Sequence, residues 1–308
     1  MKAVFDLHCD TLTAYMDYPG GSLDAPGAAF SLSGVPEGVS YAQCTAVFLP
    51  DELTPSQRRT RYETCVDQLN AQLGPRLSRC TGADEIEEAW AEHKTAAVLT
   101  VENGSLLCGD MDYLERLRRD GVRMMTLTWN GINEIGSGKV SQLGLTDFGR
   151  ALIPELERAG ILCDVSHLND PGFWDFLKIA QKPFAASHSN ARALCGHPRD
   201  LTDDQLREMI DRECLVGLNF FSPFLRDDGA FATEDDLLRH ADHILNLGGE
   251  KLLALGSDFD GAALPPWLTD PADEAGLAGL FLAHGFGAEL TDAILYRNAL
   301  DFFRRNVR

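Results

Sequence analysis

Thr95-Ala96-Ala97-Val98-Leu99-Thr100-Val101-Glu102 is the stretch that decides the fold: an unbroken, largely apolar run that stops at a carboxylate. A short run without polar alternation fits a strand buried on both faces, because neither face of such a strand meets water. The same design recurs on either side. Residues 3–5 lead into Asp6-Leu7-His8-Cys9-Asp10, residues 162–166 end at His167, residues 184–187 end at His188, and residues 252–256 run through Ser257 into Asp258. Runs at 42–49, 122–129 and 215–221 bring the total to eight, and segments with helical spacing lie at 113–120, 147–159, 171–180, 203–213 and 234–247.

Eight strands alternating with helices over 308 residues match the size and rhythm of a (β/α)8 TIM-type barrel, in which active groups gather at the carboxyl ends of the strands. A doubly wound open sheet has the same alternation. No GxGxxG follows the first run, however, and polar residues spread from the first strand to the last can meet only if the sheet closes. The expectation is therefore one barrel domain over residues 1–308, with His8, Asp10, Glu102, His167, His188 and Asp258 converging at one rim. Loops at 19–38 and 262–274 are expected over its mouth.

Composition narrows the function. A formal charge of −20 argues against nucleic acid, whose binding needs a basic surface to displace counterions. No apolar stretch approaches the length of a membrane span. The chain enters its first strand at once, so no removable leader is expected, and the eight cysteines read as reduced, mostly buried thiols of a cytoplasmic protein.

Each candidate has a chemical reason. His8 and Asp10 alternate to one face of a strand, which lets one strand end grip a cation with an imidazole and a carboxylate, and Asp6 is expected to share that face as their supporting partner. Glu102, ending an apolar strand, needs a cation or a donor to offset its desolvation. His167 and His188 close successive strands and suit zinc, with manganese or cobalt as alternatives. Asp258, between glycines in Gly256-Ser257-Asp258-Phe259-Asp260-Gly261, can accept a proton from a metal-activated water and pass it to a leaving group, while Asp260 reads as a turn residue. Arg199 can hold a carboxylate through its planar fork. His93, His240, His243 and His284 lie in polar segments and are expected on the surface; His197, close to Arg199, is left open.

Together with Val101-Glu102-Asn103-Gly104, Asp164-Val165-Ser166-His167, Ser187-His188-Ser189-Asn190 and Asn298-Ala299-Leu300-Asp301-Phe302-Phe303, these motifs resemble the membrane dipeptidase (renal dipeptidase) family of the amidohydrolase superfamily across essentially the whole chain. The resemblance implies a binuclear zinc barrel in which His8, Asp10 and Glu102 hold one ion and Glu102, His167 and His188 the other. It also implies a bridging hydroxide that attacks a dipeptide carbonyl, Asp258 as its proton shuttle, and Arg199 on the dipeptide carboxylate. Homodimers are common in such a family, but no stretch here marks an interface. The chain departs from the pattern in one place: where the family often carries a carbonyl-polarising histidine, it reads Leu127-Thr128-Trp129-Asn130-Gly131. Trp129 offers one N–H, Asn130 and Asn133 are alternative donors, and loss of one oxyanion donor typically costs about 10²–10³ in rate. A hydrolase of the same mechanism acting on another amide, an N-acyl amino acid or a lactone is thus the rival reading. A barrel that binds metal without turnover leaves Asp258 unexplained.

Overall fold

The computed structural model describes residues 2–14, 23–24 and 27–307, so part of the expected 19–38 loop lies outside the described residues. All strands are parallel: β1 (Ala3–Cys9), β2 (Ser40–Phe48), β3 (Leu77–Arg79), β4 (Thr95–Glu102), β5 (Met124–Thr126), β6 (Leu162–Asp164), β7 (Ala185–Ala186), β8 (Leu215–Leu218) and β9 (Leu253–Leu255). They follow the order β2-β1-β9-β8-β7-β6-β5-β4-β3, and pairing of β2 with β4 closes a ring of eight. The barrel is as expected; β3 is additional. It pairs with the lower part of β4, Leu77 to Thr95 through Arg79 to Ala97, while β5 takes the upper part from Thr100 to Glu102. Leu77-Ser78-Arg79 contains a single apolar residue, so no apolar run announced it.

Several strands are shorter than the runs that encode them. The 122–129 run is strand only over Met124–Thr126, and the 184–187 run only over Ala185–Ala186. Past the carboxyl ends of these strands, residues 127–129 and Ser187 continue into the rim. β1 also departs from simple alternation. Its register against β2 slips between Asp6 and Cys9, an irregularity that re-aims the strand end so that His8 and Asp10 reach the site. Strict alternation does not hold through this segment, yet Asp6 is the expected supporting partner: it accepts hydrogen bonds from the main-chain N–H of His8 at 3.1 Å and of Ser257 at 2.9 Å.

Helices packed around the barrel include Pro55–Gln72, Ala83–Ala91, Asp147–Ala159, Asp203–Asp211, Glu234–Asn246, Pro271–His284 and Asn298–Asn306. Asp147–Ala159 shows how the sequence sets such a boundary. Thr146 caps its start by accepting from Gly149 N, and Gly160 ends it in the left-handed conformation at φ 71°. Asn298–Asn306 buries Phe302 and Phe303, with the Phe303 ring 4.9 Å from Phe5 of β1. Each such ring contributes about 1.5–3 kcal/mol of apolar burial.

His240 is not on the surface. It is 1% exposed, its Nδ1 accepts from Ala191 N at 3.1 Å and its Nε2 lies 3.1 Å from the Leu225 carbonyl. The polar neighbours that pointed outward belong to the other face of its helix. Glu274, expected in a loop, lies in the helix Pro271–His284 and is fully buried.

Candidate metal centre

The six rim residues come together. Glu102, at the end of β4, points one carboxylate oxygen each way: Oε2 lies 3.4 Å from His8 Nε2, and Oε1 lies 2.9 Å from His167 Nε2 and 3.8 Å from His188 Nε2. His8 Nε2 is also 3.8 Å from Asp10 Oδ1 and 3.9 Å from Asp258 Oδ1. Two triads, His8-Glu102-His188 and His8-Asp10-Asp258, each keep their ligand atoms within 4.8 Å of one another. His8 Nε2, His188 Nε2 and Asp10 Oδ1 are buried without a hydrogen-bond partner. Leaving three such atoms unpaired is costly, whereas divalent cations bound in the cluster would satisfy them.

Electrostatics point the same way. Burial, together with the like charges of Asp10 and Asp258, leaves the Glu102 carboxyl pushed up to about 8. Asp258 is raised as well, first by burial and then by Asp10. Burial alone would pull the His8 imidazole down, but Glu102 and Asp10 outweigh it and hold its pKa well above the ordinary value. Burial, aided by His8 and Arg199, holds His167 and His188 well below theirs, in the neutral form that a metal ligand requires. Protein charge alone leaves the carboxylates uncompensated, and a donor set of imidazoles and carboxylates fits zinc or a similar dication.

Beneath the ligands lies a layer that the sequence reading did not anticipate. Asp164 accepts from Thr126 Oγ1 and Ser187 Oγ, both at 2.6 Å, and from the N–H groups of Ser166 and Ser187. Because the Ser187 hydroxyl donates to Asp164, it accepts from His188 Nδ1 at 2.8 Å, which leaves the Nε2 lone pair free for a metal. Asn130 Oδ1 stands 3.4 Å from His167 Nδ1, in a place to set that tautomer similarly. Asn219 Nδ2 donates to Asp258 Oδ2 at 3.0 Å and leaves Oδ1 toward His8. The available signal for Asn219 was a polar residue interrupting the apolar 215–221 run.

The backbone is bent where these side chains turn inward: His167 (φ 69°), Asp258 (φ 63°) and Asp260 (φ 63°) are all left-handed. Gly261 lies so close to the Asp10 and Asp258 carboxylates that a Cβ there would collide with both. Asp260 does more than turn the chain. It accepts from Thr11 Oγ1 at 2.6 Å and from the N–H groups of Ala29 and Phe30, fastening the described part of the first loop to the end of β9.

Above the cluster opens a cavity of about 910 Å³ lined by Glu102, Asp258, Trp129, Asn130, His197, Phe221 and Phe224, among others. Trp129 packs on its wall, 5.0 Å from Phe48. Arg199 is buried close to the cluster, within reach of the Asp258 and Glu102 charges. It is 5% exposed, donates from Nη2 to the His188 carbonyl at 3.3 Å, sits 5.3 Å from the Phe224 ring centroid, and leaves Nε without a partner. Asn133 is ruled out as an oxyanion donor. Its Nδ2 is held by Asn103 Oδ1 and the Leu127 carbonyl, and its Oδ1 accepts from Ile135 and Gly136.

A closed (β/α)8 barrel whose C-terminal rim gathers imidazoles and carboxylates defines a metal-dependent hydrolase. The membrane dipeptidase family, peptidase family M19, matches residues 1–307, and the chain belongs to it. An uncharacterized protein encoded in the pqqA 5' region of Klebsiella pneumoniae is 38% identical over 244 residues, covering 76% of this chain and 90% of its own. A metallopeptidase of Rhodobacter sphaeroides, crystallised with a phosphinate mimic of the dipeptide L-Ala-D-Ala, superposes with a TM-score of 0.90 at 26% identity, covering 99% of both chains. Dipeptidase AC, also a metallopeptidase, gives 0.91 at 27% identity, over 99% of this chain and 98% of its own.

Proposed function

We propose that the protein is a zinc-dependent dipeptidase that binds two ions and hydrolyses the peptide bond of small dipeptides. The observation that carries this reading is the division of Glu102 between His8 on one side and His167 and His188 on the other. In it, His8, Asp10 and Glu102 hold one ion, and Glu102, His167 and His188 the second. The bound pair supplies Lewis-acid polarisation of the scissile carbonyl and acidifies the attacking water. Asp258, steadied by Asn219, accepts the water proton on Oδ1 and delivers it to the leaving amine. Arg199 holds the substrate carboxylate through its buried guanidinium. Asn130 Nδ2 and the Trp129 indole line the cavity and contact the reacting amide. The dipeptide mimic held by the Rhodobacter sphaeroides neighbour supports this substrate class. Seven of the eight cysteines are buried and all are free, which supports a reducing, cytoplasmic setting.

A panel of dipeptides, assayed on chelated and zinc-reconstituted protein alongside metal analysis, tests the reading. The expected result is amino-acid release only with metal, at two ions per chain; metal-independent release, or none from any dipeptide, defeats it. Trp129 in place of a histidine favours the second reading, hydrolysis of another amide, an N-acyl amino acid or a lactone. Arg199→Ala separates them. It raises KM for dipeptides about tenfold or more, through loss of a charge-assisted contact, and leaves a substrate without a carboxylate unaffected.

A further inference from the structure

The cavity above the metal centre carries two cations that the reaction does not use, Arg61 and Lys139. Arg61 lies on the helix Pro55–Gln72, and its Nε donates to the Phe48 carbonyl at 2.9 Å, which fixes the guanidinium at the upper end of β2. Its two Nη groups and the Lys139 ammonium have no carboxylate within 4.0 Å among the described residues. The neighbours of Arg61 on the same helix behave differently: Arg58 pairs with Glu134 at 3.3 Å and Arg59 with Asp110 at 3.1 Å. Among the described residues, Arg61 thus brings unpaired Nη donors to the cavity lining, where an anionic group of the substrate can reach them.

The ring order says which end of the substrate brings it. From β2 to β7 is four strands in either direction, through β4, β5 and β6 or through β1, β9 and β8, so the two lie on opposite sides of the mouth. Arg199 follows β7 and Arg61 follows β2. A dipeptide whose terminal carboxylate is drawn toward Arg199, with its peptide bond over Glu102, directs its N-terminal residue toward Arg61. The cavity volume of about 910 Å³ exceeds what two alanines fill, leaving room for a longer side chain beside Phe48 and Trp129.

We propose that the enzyme selects dipeptides whose N-terminal residue bears a side-chain carboxylate, with Arg61 as its contact. This rests on the dipeptidase reading above. The zinc-loaded protein is assayed for kcat/KM on Glu-Ala, its neutral isostere Gln-Ala, Ala-Ala and Ala-Glu. Glu-Ala should exceed Gln-Ala by about tenfold, the size of a charge-assisted contact partly screened by solvent, and the ratio should fall with added salt. Arg61→Gln should bring the ratio close to unity, and Lys139→Gln, whose charge acts on His167 and His197 on the Arg199 side of the mouth, should leave it nearly unchanged. Equal rates on Glu-Ala and Gln-Ala, a ratio unmoved by Arg61→Gln, or a preference for Ala-Glu over Glu-Ala overturns the proposal. Turnover of Ala-Ala without any acidic preference breaks this inference alone, whereas no turnover of any dipeptide removes the dipeptidase reading and this one with it.

Discussion

The β1/β9 half of the metal centre and the β6/β7 half are built on one plan with one difference. In the first, Asp6 accepts from the N–H of His8, two residues on, and from the N–H and hydroxyl of Ser257, which precedes Asp258. In the second, Asp164 accepts from the N–H of Ser166, two residues on, and from the N–H and hydroxyl of Ser187, which precedes His188. A buried aspartate thus stitches each strand to its neighbour just below the ligands. The difference lies in where the serine oxygen also reaches. Ser187 Oγ meets the His188 imidazole at 2.8 Å, while Ser257 Oγ meets main-chain groups, donating to the His8 carbonyl at 3.0 Å and accepting from the Phe259 N–H at 3.2 Å. One network sets a ligand's tautomer, and the other sets a backbone.

The largest expected effect breaks both halves at once. Glu102→Gln removes the charge that faces His8, His167 and His188 together. On the proposed two-ion reading, bound metal should fall to one ion per chain or none after dialysis, and kcat/KM should fall by about 10³-fold or more. Retention of both ions with near-normal activity would mean that Glu102 does not join the halves.

A sharper comparison comes from Asp164→Asn and Asp6→Asn. Losing a carboxylate behind a metal-ligating histidine typically weakens metal binding about 10–100-fold. Asp164→Asn should reach that range for one of the two ions in a competitive chelator titration, because the hydroxyl that orients His188 loses its acceptor. Asp6→Asn should weaken binding less and lower thermal stability instead, since its donors are mostly main-chain groups. Equal losses of affinity would show that tautomer control is not what separates the halves.

The sequence revealed the candidate ligands more readily than the groups beneath them, for a physical reason. Glu102 and His188 stand out because each ends an apolar run, where a polar side chain has no solvent to account for it. Asp164, Ser187 and Ser257 were equally visible as letters, but each matters through a partner on another strand, and that partnership exists only once the ring closes. The slip in β1 was hidden for a related reason: alternation can be read from one strand, whereas register belongs to a pair. His240 misled because its helix has a polar outer face, while its own position packs against the loops after β7 and β8. β3 is too short and polar to leave a pattern.

The smallest effect tests an asymmetry beneath the β1 half. Glu274, on the helix Pro271–His284, is fully buried; its Oε2 accepts from the Tyr41 hydroxyl and its Oε1 has no partner. Burial first, and the charge of Asp6 second, raise its carboxyl well above the ordinary 4.5, and burial raises Asp6 as well. A carboxyl raised in the folded state contributes its full stability below the unfolded value, and that contribution is lost as pH rises toward the folded value. Glu274→Gln keeps an oxygen for Tyr41 and removes the titration. The variant should therefore melt higher than the parent at pH 8, by about 2 °C or more, with a margin that shrinks toward pH 5. A variant that melts lower at both values would show that Glu274 stabilises the fold as a charged partner, and the two halves would then differ less beneath the ligands than their hydrogen bonds indicate.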